Sequence, residues 1–241
     1  MKIEILPAII PESFDDLKDK MILVKGLVPT VQVDICDGHF VPSQSWPYIG
    51  DYEADFQRML DDESEGFPFW ESMDFEADLM VEMTEEIAES WIRVGAKRIV
   101  LHIESADNIL EIVKNLRKKY GYPIDSAVSI EIGIALNINT SNDELDVFLN
   151  TDENGKVLAD FVQFMGIDQI GYQHQEFDDV VLDKIADLRK KYPELLISID
   201  GGVNFENAHD LKEAGANRLI SGSAIYDSED IKEAIEEMRK I

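Results

Sequence analysis

Six polar residues close apolar runs that read as β-strands: Gln32 and Asp34, Asp78, His102, Asn137 and Asp200. Three of the six are carboxylates. A carboxylate ending a buried strand costs free energy unless something pairs with it. Three that converge on one poorly solvated mouth repel each other, so either their pKa values rise or a cation neutralises them. A second signal is Gly201-Gly202 directly after Ile199-Asp200, and a third is Gly222-Ser223. Glycines there let a phosphate approach backbone N–H groups, with a helix N-terminus adding positive potential. Either pair alone is a tight turn; both together point to a phosphate.

The elements that must bring these residues together alternate along the chain. Strand patterns cover Ile3–Ile9, Thr30–Cys36, Asp74–Met80, Arg98–Ile103, Val128–Leu136, Asp160–Met165, Leu195–Asp200 and Asn217–Ser221. Between them run helices: one from the N-cap Ser13 to about Lys25, an acidic one near Asp51–Asp61, and one from Thr84 to Val94. Further helices span Asp107–Tyr120, Asp178–Tyr192, Asn204–Ala214 and Ser228–Lys240, with a short one from Ser141 to about Leu149 before a turn at Asp152–Gly155. Such alternation implies a parallel sheet, and eight units predict a closed (β/α)8 TIM barrel, a single domain over 1–241. In that fold the strand-end residues converge at the C-terminal face, and phosphate sits at the loops after strands seven and eight. The connection from about 44 to 73 is long and carries Trp46, Tyr48, Phe56, Phe67, Phe69 and Trp70. It is expected to cover the site, to meet another subunit in a homo-oligomer, or simply to pack.

Composition narrows the partners. A net charge of −28 argues against nucleic acid and anionic membranes, while local N–H groups still allow a small anionic substrate. The one cysteine, Cys36, excludes an internal disulfide and suits a reducing cytoplasm. No run reaches the length of a membrane span and no signal peptide is visible at the start.

From Ile3 to about Met238 the chain resembles the ribulose-phosphate 3-epimerase family. That family's "PSIL" appears as Pro7-Ala8-Ile9-Ile10, and its "HxDxMDGxFVPN" as Gln32 to Ser43. Its "HLM" becomes Asp78-Leu79-Met80, its "DGGV" is intact at Asp200–Val203, and its "GSAIF" is Gly222–Tyr226. The resemblance implies an isomerase that epimerises a phosphorylated ketose. Asp34 and Asp200 match the acid/base pair: one takes a proton from the carbon beside the ketone and the other returns one to the opposite face of the enediolate. A divalent metal stabilises the oxyanion in that family, because a carboxylate with a pKa near ~4 is a feeble base toward carbon. The implied metal set is Gln32, Asp34, Asp78 and Asp200. The implied substrate-binding set is Met80, His102, Met165, Gly171, Gly201, Gly202, Gly222 and Ser223.

The departures matter as much. Both metal-binding histidines of the family are replaced, by Gln32 and Asp78, leaving an all-oxygen set that favours Mg²⁺ or Mn²⁺ over Zn or Fe. Loss of the metal is a further expectation to weigh. The family's Gly-rich "NPGFGGQ" reads Asp168 to His174, where only Gly171 keeps the small-residue character and Asp168 would repel a phosphate it faced. These changes leave open another sugar isomerase or lyase on the same barrel, or a non-catalytic phosphosugar-binding protein.

Overall fold

Parallel strands covered by helices are buried on both faces, and β2 (Thr30–Cys36) is buried at every position. In the computed structural model it is one of eight parallel strands closed in sequence order: β1 (Glu4–Ile9), β2, β3 (Asp74–Met80), β4 (Arg98–His102), β5 (Glu131–Leu136), β6 (Phe161–Met165), β7 (Leu196–Asp200) and β8 (Arg218–Ser221). The structure describes all residues except 1–2, 51–52, 63–65, 124–129, 152–154 and 173. The (β/α)8 barrel expected from the sequence is therefore the observed fold.

Helices wrap the barrel: α1 (Phe14–Val24), α2 (Glu53–Asp61), α3 (Glu85–Arg93), α4 (Ile109–Tyr120), α5 (Asp146–Leu149), α6 (Val180–Lys191), α7 (Ala208–Ala214), α8 (Ser223–Tyr226) and α9 (Ile231–Met238). Their starts follow side-chain chemistry. Ser13 Oγ accepts from Asp16 N at 3.1 Å and Thr84 Oγ1 from Ile87 N at 3.2 Å, each satisfying an amide that the first turn leaves open. Leu17, Met21 and Val24 then recur at helical spacing and are buried.

Several boundaries shift for visible reasons. Asn204 Oδ1 accepts from Glu206 N and Asn207 N, so the segment expected to open α7 is a side-chain-held turn and the helix starts at Ala208. The last helix, α9, starts at Ile231 rather than Ser228, and a further short helix, α8, opens at Ser223 ahead of it. The expected start of strand five, at Val128, and all but Gly155 of the expected turn at Asp152–Gly155 fall outside the described residues.

Much of the described part of the long connection packs, while Trp70 is 66% exposed. Trp46 is fully buried, with its ring centroid 5.3 Å from Phe14, 5.8 Å from Phe56 and 6.0 Å from Trp91. Phe67 stacks on Phe75 at 3.6 Å. These aromatics seal the outside of β3 beneath α1 and α3, and none of them lines the cavity at the mouth.

The barrel interior is layered. Phe161 fills its lower half beside Val100 and Ala135, and Gly133 has no side chain because a Cβ there would strike the Phe161 ring. Below Phe161 lies a charged floor. Arg98 Nη2 reaches Glu4 Oε1 at 3.0 Å and its Nε lies 3.4 Å from Glu131 Oε2. Arg218 Nε meets Glu4 at 2.8 Å and its Nη2 meets Glu131 at 3.1 Å, with its guanidinium over Phe161. Glu76 sits beside them, 3.7 Å from Arg98 Nη1.

Candidate active site

Strand alternation turns Gln32 and Asp34 of β2 inward together, and the same rule brings Asp78 of β3, Gln163 of β6 and Asp200 of β7 to meet them. One amide joins the two outer carboxylates. Gln32 Nε2 donates to Asp34 Oδ1 and to Asp200 Oδ2, each at 2.7 Å. Asp78 is gripped separately: Gln163 Nε2 donates to its Oδ2 at 3.0 Å, and His102 Nε2 donates to its Oδ1 at 3.0 Å. One oxygen from each of the three aspartates lies within 4.8 Å of the other two, and all three residues are buried.

Crowding three carboxylates out of water has the expected electrostatic effect. Burial, then the charges of Asp200 and Asp78, hold the Asp34 carboxyl well above the ordinary range. Asp200 is pushed up to about 7, first by burial and then by Asp78, against the opposing hydrogen bond from Gln32. For His102 burial disfavours the charged ring, but the Asp78 carboxylate outweighs it and the pKa ends raised.

Above this layer opens a cavity walled by Asp34, Asp200, Met80 and Met165 on one side and by Gly171, Gly201, Gly202, Gly222 and Ser223 on the other. Gly201 and Gly202 both have positive φ, at 95° and 70°. A Cβ on Gly201 would run into Ile167, so this turn needs glycine twice over. The loop after β6 (loop six) leans on the loop after β2 (loop two): Gly171, at φ 86°, lies directly against Val41 and Ser43, where a Cβ would not fit. Ile167, Ile170, Val41, Cys36, Met80 and Met165 form one apolar cluster between these loops. Loop two is itself set by Asp37, whose Oδ1 accepts from His39 N and Phe40 N and whose Oδ2 accepts from Glu82 N.

Most residues singled out from the sequence meet here, though not all in the expected role. His102 is not on the cavity wall; it is fully buried behind Asp78, with the Phe40 ring 5.4 Å away. Gln32 and Asp78 likewise stand one layer below the wall. Asn137 lies apart, its N–H donating to Glu104 and its carbonyl accepting from Lys184 Nζ. Asp168 is turned away from the glycine-lined end and accepts from Asn139 Nδ2 at 3.1 Å. Gln163 escaped the strand-end reading because it sits mid-strand. Its signal was a lone amide in Phe161-Val162-Gln163-Phe164-Met165, where only an inward polar partner could satisfy it.

Whether this layer suits a divalent cation can be judged from its donors. Gln32 Oε1 is buried without a hydrogen-bond partner, beside three carboxylates whose mutual repulsion a cation would relieve. The donor set is oxygen only, and it fits a hard ion.

The profile of the ribulose-phosphate 3 epimerase family matches residues 4–226. The chain belongs to that family. It is 28% identical over 246 residues to the ribulose-phosphate 3-epimerase of Bacillus subtilis (strain 168), covering 98% of each chain. It is 29% identical over 235 residues to the chloroplastic ribulose-5-phosphate-3-epimerase of Arabidopsis thaliana, covering 95% of this chain and 73% of that one. Among solved structures it resembles a 3-hexulose-6-phosphate synthase (TM-score 0.62, 18% identity, covering 100% of this chain and 99% of that one). It also resembles the 3-keto-L-gulonate-6-phosphate decarboxylase of Vibrio cholerae (TM-score 0.64, 14% identity, covering 100% and 98%). At those identities the structures speak for the barrel alone. Among the described residues no helix is long and apolar enough to cross a membrane.

Proposed function

We propose that this protein epimerises a phosphorylated ketose by proton transfer between two aspartates, Asp34 and Asp200. The observation that carries the reading is the Gln32 amide, which bridges both carboxylates at 2.7 Å on the floor of one cavity. Inverting a carbon requires an ionised carboxylate on one face and a protonated one on the other. Repulsion between neighbouring buried carboxylates favours that half-protonated pair, whose two titrations belong to the pair rather than to either residue. A pKa near 7 for Asp200 makes its carboxylate a better base toward a C–H bond than an ordinary aspartate. After one transfer the roles are exchanged, so the same pair serves the reverse reaction.

Gln32 keeps the two acids in register. Met80, Met165 and Ile167 put apolar surface beside them, which excludes water that would otherwise quench a carbanionic intermediate. Asp34, Asp78, Asp200 and the Gln32 carbonyl oxygen would hold a divalent cation, Mg²⁺ or Mn²⁺ by the oxygen-only donor set. When bound, such a cation supplies positive charge where the ketone oxygen becomes anionic. His102 and Gln163 act one step back, fixing the Asp78 carboxylate. The glycine turns at Gly201-Gly202 and Gly222-Ser223 leave room for a phosphate at the other end of the cavity.

The test is exchange of substrate hydrogen with heavy water, followed by NMR on ribulose 5-phosphate with Mg²⁺ or Mn²⁺ supplied. Wild-type protein should wash deuterium into the carbon beside the ketone. Absence of exchange with either ion would sink the reading.

A further inference from the structure

We propose that His174 is the side chain that recognises the phosphate, and so sets the preference for a phosphorylated over a free sugar. This rests on the epimerase reading of the cavity.

The charge problem at this cavity is acute. The protein carries a net charge of −28, and Asp34 and Asp200 both face the cavity. Among the described residues lining it there is no lysine and no arginine, and His174 is the one side chain that can become a cation. Backbone N–H groups at the glycine turns supply partial charges, yet they must also offset the field of two nearby aspartates. A phosphate dianion entering here gains most from the one imidazole on the wall.

The backbone at His174 is unusual in a way that suits this role. Its φ is 59°, in the left-handed region that a residue with a Cβ adopts at a cost. That conformation brings the ring to Asp227, whose Oδ2 accepts from Nε2 at 2.9 Å. Asp227 caps the end of α8, the four-residue helix that begins at Ser223 on the cavity wall. The ring is thus tied to the same element that carries the Gly222-Ser223 turn. Both partners are mostly exposed, at 65% and 64%, so the ion pair contributes little to stability. What the pair does supply is orientation. With Nε2 committed to Asp227, Nδ1 is the ring nitrogen left to donate to an incoming anion.

Two measurements on His174→Ala test this, with a thermal melt to show that the variant is folded. By calorimetry, the affinity for inorganic phosphate should fall about 10- to 100-fold, the range for losing a hydrogen bond to a charged group. In the exchange assay, KM for ribulose 5-phosphate should rise by a similar factor with kcat changed less than about 3-fold, while slow turnover of free ribulose stays as it was. Phosphate affinity equal to that of wild type, or equal losses on free and phosphorylated sugar, would overturn the proposal. If His174→Ala fails to fold, His174→Gln replaces it and the same losses are expected. A wild-type protein inert in the exchange assay would defeat the epimerase reading instead, and phosphate calorimetry would then decide on His174 by itself.

Discussion

The two ends of the barrel interior each hold three acidic side chains, and they treat them in opposite ways. At the N-terminal floor, Glu4, Glu76 and Glu131 are interleaved with Arg98 and Arg218, guanidinium against carboxylate. At the C-terminal mouth, Asp34, Asp78 and Asp200 meet amides and one imidazole, with no arginine or lysine among their hydrogen-bond partners in the described residues. The floor is charge set for structure: each arginine spans several strands and fixes their relative height. The mouth is charge met by no guanidinium, so burial and mutual repulsion raise the Asp34 carboxyl and take Asp200 to about 7, and a cation becomes welcome. The difference lies not in how many acids are buried but in which partners the strands send to meet them.

Replacing an acid at the mouth should break the comparison most sharply. Asp34→Asn or Asp200→Asn is expected to lower hydrogen exchange by about 10²- to 10⁴-fold, the scale of a lost acid/base group, while the melting temperature holds or rises. A fall in both together would mean that the mouth is structural after all. The converse substitution is Arg98→Met at the floor. It strands the buried Glu76, leaves Glu4 and Glu131 to Arg218 alone, and should cost about 3–5 kcal/mol in urea unfolding, with activity per folded molecule preserved.

A finer test uses pH. Burial pushes Glu76 up to about 7 from an ordinary 4.5, despite Arg98 and Arg218. A raised carboxyl binds its proton more tightly in the folded state, so its contribution is complete below about pH 4.5 and disappears as pH rises through 7. Glu76→Gln should therefore flatten the decline of stability between those values, by up to about 3 kcal/mol at pH 8. Denaturant midpoints at pH 5 and pH 8 would measure it, and an unchanged slope would show that the arginines already neutralise this acid.

The barrel could be read from the sequence because local signals agreed: eight apolar runs, each followed by a helical stripe, and caps such as Ser13 and Thr84 where the helices begin. Asp34, Asp200 and the glycine turns were legible for the same reason, since a strand end followed by turn residues fixes its own place in a barrel. What could not be read is anything set by two distant strands. Gln163 looks like a misplaced amide until Asp78 is seen across the barrel, and His102 looks like a mouth residue until the same carboxylate claims it. The floor was invisible because Glu4, Arg98, Glu131 and Arg218 sit at strand starts, where exposed charge is ordinary. His174 lay in a loop that matched its family least, and only α8 shows what it reaches.

The grip on Asp78 also bears on how such a site can change by descent. Every glutamine codon lies one base from a histidine codon, and so does every aspartate codon, so both departures at positions 32 and 78 are a single mutation from the family's imidazole. At position 32 an imidazole N–H would still offer a donor to Asp34 or Asp200, as the Gln32 amide does. At position 78 both oxygens of the carboxylate accept hydrogen bonds, and an imidazole there would confront the donors of His102 and Gln163 with at most one acceptor. One replacement keeps a donor facing its acceptors, while the other would set donors against a ring that cannot satisfy both.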